Sequence, residues 1–223
     1  MLEKLYNKVK PGYFALLTGI CGLLTILIAS ILYIIVEPFT FFSHWISHLG
    51  AGPNGAQYVF MVGLIITSFF AIIFIVFLFQ FLKNNMERHR LMTWSAFLVG
   101  IVSIMGLVMN AIWNMRDDPE LHVTGSTTFF FAGLFMVLLF SFSMLFCEKI
   151  SNSQAFIGFA VTGVFFAFLI SYVPYMSQGI DLMVLLKSTD PRAAPTRFIE
   201  WMVFFAIIFW FFEIGFYFLK KKE

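Results

Sequence analysis

Two histidines four residues apart, His44 and His48, stand with Ser43 and Ser47 in the stretch SHWISHL. A third, His122, directly follows RDDPEL, so that Asp117, Asp118 and Glu120 crowd beside it. Imidazoles exchange protons near neutral pH and ligate metal ions. On a helix the i, i+4 spacing sets the His44 and His48 rings side by side, as two ligands of one ion require. His122 would complete a zinc set, since catalytic zinc sites hold three protein ligands and a water, with Asp118 or Glu200 as a fourth ligand or a general base. The same residues equally suit a second chemistry, in which unmetallated imidazoles, hydroxyls and carboxyls hydrogen-bond a polar headgroup or a partner at a membrane surface.

The elements that must position these residues are membrane spans. Of 223 residues 61% are hydrophobic and 12% charged, about half the charged share of a soluble domain. Six apolar stretches, 13–36, 57–82, 91–113, 122–147, 155–176 and 198–219, each suffice to cross a hydrocarbon layer of ~30 Å as a helix of about 20 residues. The expected fold is therefore an all-α integral membrane bundle of six transmembrane helices, a single domain over 1–223. The first run is too long for the core of a signal peptide, and no small-residue cleavage site follows it; the expectation is a retained span. Pro174 in SYVPYM should kink or end the fifth span. Cys21 and Cys147 fall in apolar runs and point to no disulfide.

The charges give an orientation. Ten of the fourteen Lys and Arg, including Lys4, Lys8, Lys10, Lys83, Arg88, Arg90, Lys149 and Lys220–Lys222, lie on the side that holds both termini. Arg116, Lys187, Arg192 and Arg197 lie on the other. The positive-inside rule makes both termini cytoplasmic and turns segments 37–56, 114–121 and 177–197 outward. No basic run suits nucleic acid. The stretch IDLMVLLK (180–187) reads as a short interfacial helix or as a loop dipping into the headgroup layer.

The outward side collects the unusual chemistry. On a helix of about 100° per residue, Ser43, His44, Ser47 and His48 occupy one face of a two-turn amphipathic segment and Phe42, Trp45, Ile46 and Leu49 the other. Ser103, Gly106, Asn110, Asn114 and Asp117 fall on one stripe of the third span, and polar stripes in membrane helices face protein or water. His122, Gly125, Ser126 and Gly133 share a face of the fourth. Arg197 and Glu200, at i and i+3, can pair at the mouth of the sixth. Glu37 ends the first span near water. Glu213 lies deeper, as a buried acid whose partner the sequence does not name. His89 sits in a basic cytoplasmic loop as a solvated charge. The pocket candidates are thus Glu37, Ser43, His44, Ser47, His48, Asn110, Asn114, Asp117, Asp118, His122, Ser126, Arg197 and Glu200, expected to meet in one outer recess.

In order and spacing these segments resemble the DRAM/FRAG family, which includes autophagy modulators and a factor of GPI-anchor lipid remodelling. FFSHWISHLGAGP resembles its P-F-I-S-D-x-G element and LHVTGSTTFFFAGLF its H-x-x-G-A-x-x-x-F motif. IEWMVFFAIIFWFFEIGFYF is similar to its last span, which opens on Glu-Trp, and Asn110 matches a polar position of the third. The chain departs from the pattern at His48, where the family carries an acid. ISHLG, His122 and Arg197 are also similar to a related prokaryotic family of uncharacterised six-span proteins. The resemblance covers roughly 13–219 and implies six spans and a lipid-linked role; it implies no reaction.

Three functions fit the residues. One is a non-enzymatic modulator that binds a lipid or a membrane partner, a protein or a second copy, in the outer polar pocket. Another is a metal-dependent integral-membrane lipid hydrolase or transferase built on His44, His48 and His122, with zinc as cofactor. A third is a transporter or channel, for which Glu213 and the Asn stripe speak. The orientation is directly testable. In sealed right-side-out vesicles an impermeant maleimide is expected to label Asn54→Cys and to spare Lys8→Cys until the vesicles are opened; the reverse pattern overturns the assignment.

Overall fold

The computed structural model describes residues 6, 8–86, 89–179 and 191–221. Among them there is no strand, and six helices are long and apolar enough to cross a membrane. They are α1 (Gly12–Ile34), α2 (Ala56–Asn85), α3 (Arg90–Ile112), α4 (Pro119–Leu145), α5 (Asn152–Ser171) and α6 (Ala194–Lys220). Apolar segments adopt this form because every backbone N–H and C=O must be bonded within the segment when lipid replaces water. The ends follow local chemistry. Asp118 caps α4 by accepting the Leu121 N–H at 3.0 Å, with Pro119 in the first turn. Ser151 caps α5. Asn54 (φ 53°) and Gly55 (φ 82°) take left-handed conformations that turn the chain into α2. Pro174 acts as expected: α5 stops at Ser171 and a separate turn, Val173–Ser177, carries the proline near its start. The 180–187 stretch lies outside the described residues.

Each helix packs against its predecessor and successor, and α6 returns to α1, so the six form a ring. Lipid tails are as apolar as leucine, so close van der Waals fit and interhelical hydrogen bonds must hold such a ring. The α3–α4 contact is the most extensive. There a Cβ built on Gly106 would lie 2.5 Å from the Phe129 nitrogen and 2.7 Å from the Gly125 oxygen. The two backbones touch because neither glycine has a side chain. Ser103 Oγ donates to the Phe129 carbonyl at 3.2 Å across the same seam. Phe129 stacks on Phe204 with centroids 5.3 Å apart, joining α4 to α6.

The link between α1 and α2 departs from expectation. SHWISHL is not a two-turn α-helix. Thr40 to His44 form a turn, Trp45 is extended, and only Ile46–Ala51 winds, as a 3₁₀ helix. Thr40 causes the early turn, because its carbonyl accepts the Ser43 and His44 N–H groups. The apolar residues pack inward: Trp45, Ile46 and Leu49 are buried, while Phe42 stays exposed and stacks on Phe198 at 5.0 Å. Three further corrections follow. α3 ends at Ile112, before Asn114 and Asp117, so those two leave the polar stripe. Glu213 is half-buried rather than buried and makes no side-chain hydrogen bond among the described residues. His89 is not simply solvated; its ring stacks on Phe146 at 4.7 Å.

Gly106→Ala is expected to force α3 and α4 apart and to destabilise by about 1–3 kcal/mol, read as a lower thermal midpoint in detergent. Gly163→Ala, where an added Cβ meets nothing within 4 Å, should leave the midpoint unchanged or raise it; equal midpoints for both variants would contradict the backbone contact.

Candidate functional site

The link between α1 and α2 lies across the ends of the bundle as a strap, and the first two turns of α6 hold it. Glu200 Oε2 accepts the Ile46 backbone N–H at 2.9 Å. Trp201 Nε1 donates to the His44 carbonyl at 2.9 Å. Arg197 donates to the Phe42 carbonyl at 3.3 Å and lies 5.5 Å from the Trp45 ring. These three side chains, at i, i+3 and i+4, share one face of the helix. They meet strap residues 42, 44 and 46, so one helix face satisfies alternate backbone groups of an irregular segment. All three are buried. Trp45 then stacks on Tyr172 at 6.1 Å, tying the strap to the end of α5.

Beneath the strap lies a cavity of about 140 Å³. Its polar lining comes from Ser47, His122, Ser126, Thr127, Tyr172 and Glu200. Val123, Phe130, Phe131, Phe168, Leu169 and Met176 complete the wall. Phe131 is 51% exposed and Met176 65%, so the rim between α4 and α5 belongs to the apolar outer surface. His122 Nδ1 lies 2.9 Å from the Trp113 carbonyl. That carbonyl can only accept, so Nδ1 carries a proton, and in the neutral ring the lone pair is then on Nε2. Ser126 Oγ donates to Asn110 Oδ1 at 2.8 Å and lies 3.4 Å from His122 Nε2.

The expected recess is therefore smaller than the candidate set. Ser47, His122, Ser126 and Glu200 line it. Asn110 stands behind Ser126 and supports it from α3. Arg197 stands behind Trp45 in the strap. His44 is elsewhere: its ring stacks on Phe39 at 4.8 Å and meets Tyr33 at 5.4 Å, and its Nδ1 is 2.8 Å from Ser43 Oγ. The His48 ring is 5.6 Å from that of His44. Glu37 is exposed. Asn114 and Asp117 form their own loop network, Asn114 Nδ2 donating to Asp117 Oδ2 at 2.6 Å.

The zinc set does not assemble. Among the described residues no three of His, Cys, Asp and Glu are placed to hold one ion. The reason is local: Asp118 is turned to its helix cap, His122 to the Trp113 carbonyl, and His44 to an aromatic nest. Sequence reasoning missed Tyr172, Thr127 and the strap-holding Trp201. Tyr172 sits beside Pro174 in SYVPYM and Trp201 directly follows Glu200, so a polar-tipped aromatic at each outer span end was the available signal.

A family profile covers residues 19–216, nearly the whole ring. The chain belongs to the family described as protein of unknown function (DUF998). No curated protein and no solved structure matches it. The DUF998 match spans every residue that lines the cavity and every strap contact described above.

Burial pushes the His44 imidazole below its ordinary pKa; Arg197 adds to this and Glu37 opposes it. The native state then binds fewer protons than the unfolded state just below the ordinary value of about 6.5. The stabilising contribution is complete above that pH and is lost as pH falls toward the native value. The thermal midpoint should drop between pH 7.5 and 5.5, and His44→Asn should make that drop shallower. An unchanged slope would show that His44 does not carry it.

Proposed function

We propose that this protein binds a membrane lipid in the cavity under the strap, with the headgroup among Ser47, His122, Ser126 and Glu200 and the chains leaving between α4 and α5. The observation that carries this is the polarity gradient of one cavity: hydrogen-bonding groups at its inner end, exposed Phe131 and Met176 at its rim. Membrane ligands that are polar at one end and apolar along their length fit such a gradient, and ligand sites are commonly apolar pockets with a few placed polar groups. With both termini cytoplasmic, as the lysine distribution indicates, the cavity belongs to the outer leaflet.

A kinship with the DRAM/FRAG proteins would accord with this role, since their resemblance runs through the strap, the start of α4 and the start of α6, the three segments that build the cavity. The protein would then act by binding rather than by catalysis, as a modulator. The metal-dependent hydrolase has no assembled ligand set among the described residues to rest on and is not proposed.

Native mass spectrometry of protein purified in mild detergent tests the proposal. Wild type should retain a lipid adduct, and Thr127→Trp, at an exposed rim position, should lose most of it. An adduct of equal abundance in Thr127→Trp would place the lipid elsewhere.

A further inference from the structure

The hydrogen-bonding groups of the cavity are unequal in kind, and that inequality selects a headgroup; the selection rests on the lipid-binding reading above. His122 holds its one proton toward the Trp113 carbonyl, so the Nε2 lone pair is left on the cavity side. Ser126 gives its proton to Asn110 Oδ1, so it offers Nε2 none and can itself only accept. Glu200 takes one hydrogen bond among the described residues, the Ile46 N–H on Oε2, and its second oxygen keeps acceptor capacity in either protonation state. The inner end is therefore rich in acceptors that need a donor. Ser47, Thr127 and Tyr172 add hydroxyls that can give or take. Among the described residues that line the cavity there is no lysine or arginine.

A phosphate entering here would meet lone pairs and a carboxyl with no cation to offset its charge, the costly case for a desolvated anion. An ammonium headgroup brings donors, but it would have to shed its water against a single carboxyl. A neutral hydroxyl satisfies the site without either cost: its O–H donates to His122 Nε2 or Glu200, and its oxygen accepts from Ser47 or Tyr172. The space agrees. The cavity is about 140 Å³, close to the ~150 Å³ that admits a six-carbon ring. We propose that the occupant is a phosphate-free lipid whose uncharged headgroup ends in a free hydroxyl, of the diacylglycerol or ceramide class, and that the site rejects phosphate-bearing lipids.

Three short-chain probes decide the matter on the full chain in detergent: dioctanoylglycerol, N-octanoylsphingosine and dioctanoyl phosphatidic acid, titrated by native mass spectrometry. At least one neutral lipid should bind about tenfold tighter than the phosphatidic acid, a difference of roughly one hydrogen-bonded, desolvated group. The tighter of the two neutral probes identifies a glycerol or an amide-bearing backbone as the source. Glu200→Gln, which replaces an acceptor oxygen by a donor amide at constant shape, should weaken the neutral lipid several-fold and narrow its advantage. Thr127→Trp should block the neutral lipid. If phosphatidic acid binds as tightly and is likewise blocked by Thr127→Trp, the headgroup class is wrong while the cavity still holds a lipid. If no probe responds to Thr127→Trp, the cavity is not the lipid site and both proposals fall.

Discussion

The carboxyl of Glu200 accepting the Ile46 N–H is the contact on which the outer half of the molecule turns. A segment at a bilayer edge that is neither helix nor sheet leaves backbone groups to be satisfied, and an unmet buried group costs about 1–3 kcal/mol. Here one helix supplies the partners. Arg197, Glu200 and Trp201 reach residues 42, 44 and 46 of the strap. A polar face that would be unfavourable against lipid is stable because it is covered by backbone it also orders.

The cavity is a consequence of that arrangement. Once Ile46 is pinned, Ser47 is the next residue, and its side chain roofs the space that His122 and Ser126 wall from α4. The strap's apolar residues Trp45, Ile46 and Leu49 are buried in the bundle top, and the room that remains is enclosed by these few polar groups and the apolar side chains of α4 and α5. On the other side α3 approaches α4 closely at Gly106 and Gly125, which brings Asn110 within 2.8 Å of Ser126. A glycine seam in one place thus sets the hydrogen-bond direction in another, and through Ser126 decides what His122 can offer a ligand.

The order of the helices makes this economical. In a ring of sequential neighbours that closes α6 on α1, the first and last segments are adjacent, so a link following α1 lies within reach of α6. The hydrogen bonds that fasten it join residues 154 to 157 positions apart in the chain.

The sequence by itself determined the six spans, because the length and continuity of apolar runs leave a chain in lipid few alternatives to a helix. It also determined that His122, Gly125 and Ser126 share a face, since helical periodicity is a local rule. Local rules failed where local order failed. SHWISHL reads as an α-helix by periodicity, yet the Thr40 turn and the pull of α6 on its backbone make it a strap with a 3₁₀ end. Asn114 and Asp117 looked like a continuation of the Asn110 stripe until α3 stopped before them. Which polar residues meet was left to tertiary structure: His44 turned to Phe39, Asp118 to its cap, while Glu200 met Ser47, His122 and a Tyr172 no pattern had singled out. Position along a helix fixes direction, but only packing fixes what lies in that direction.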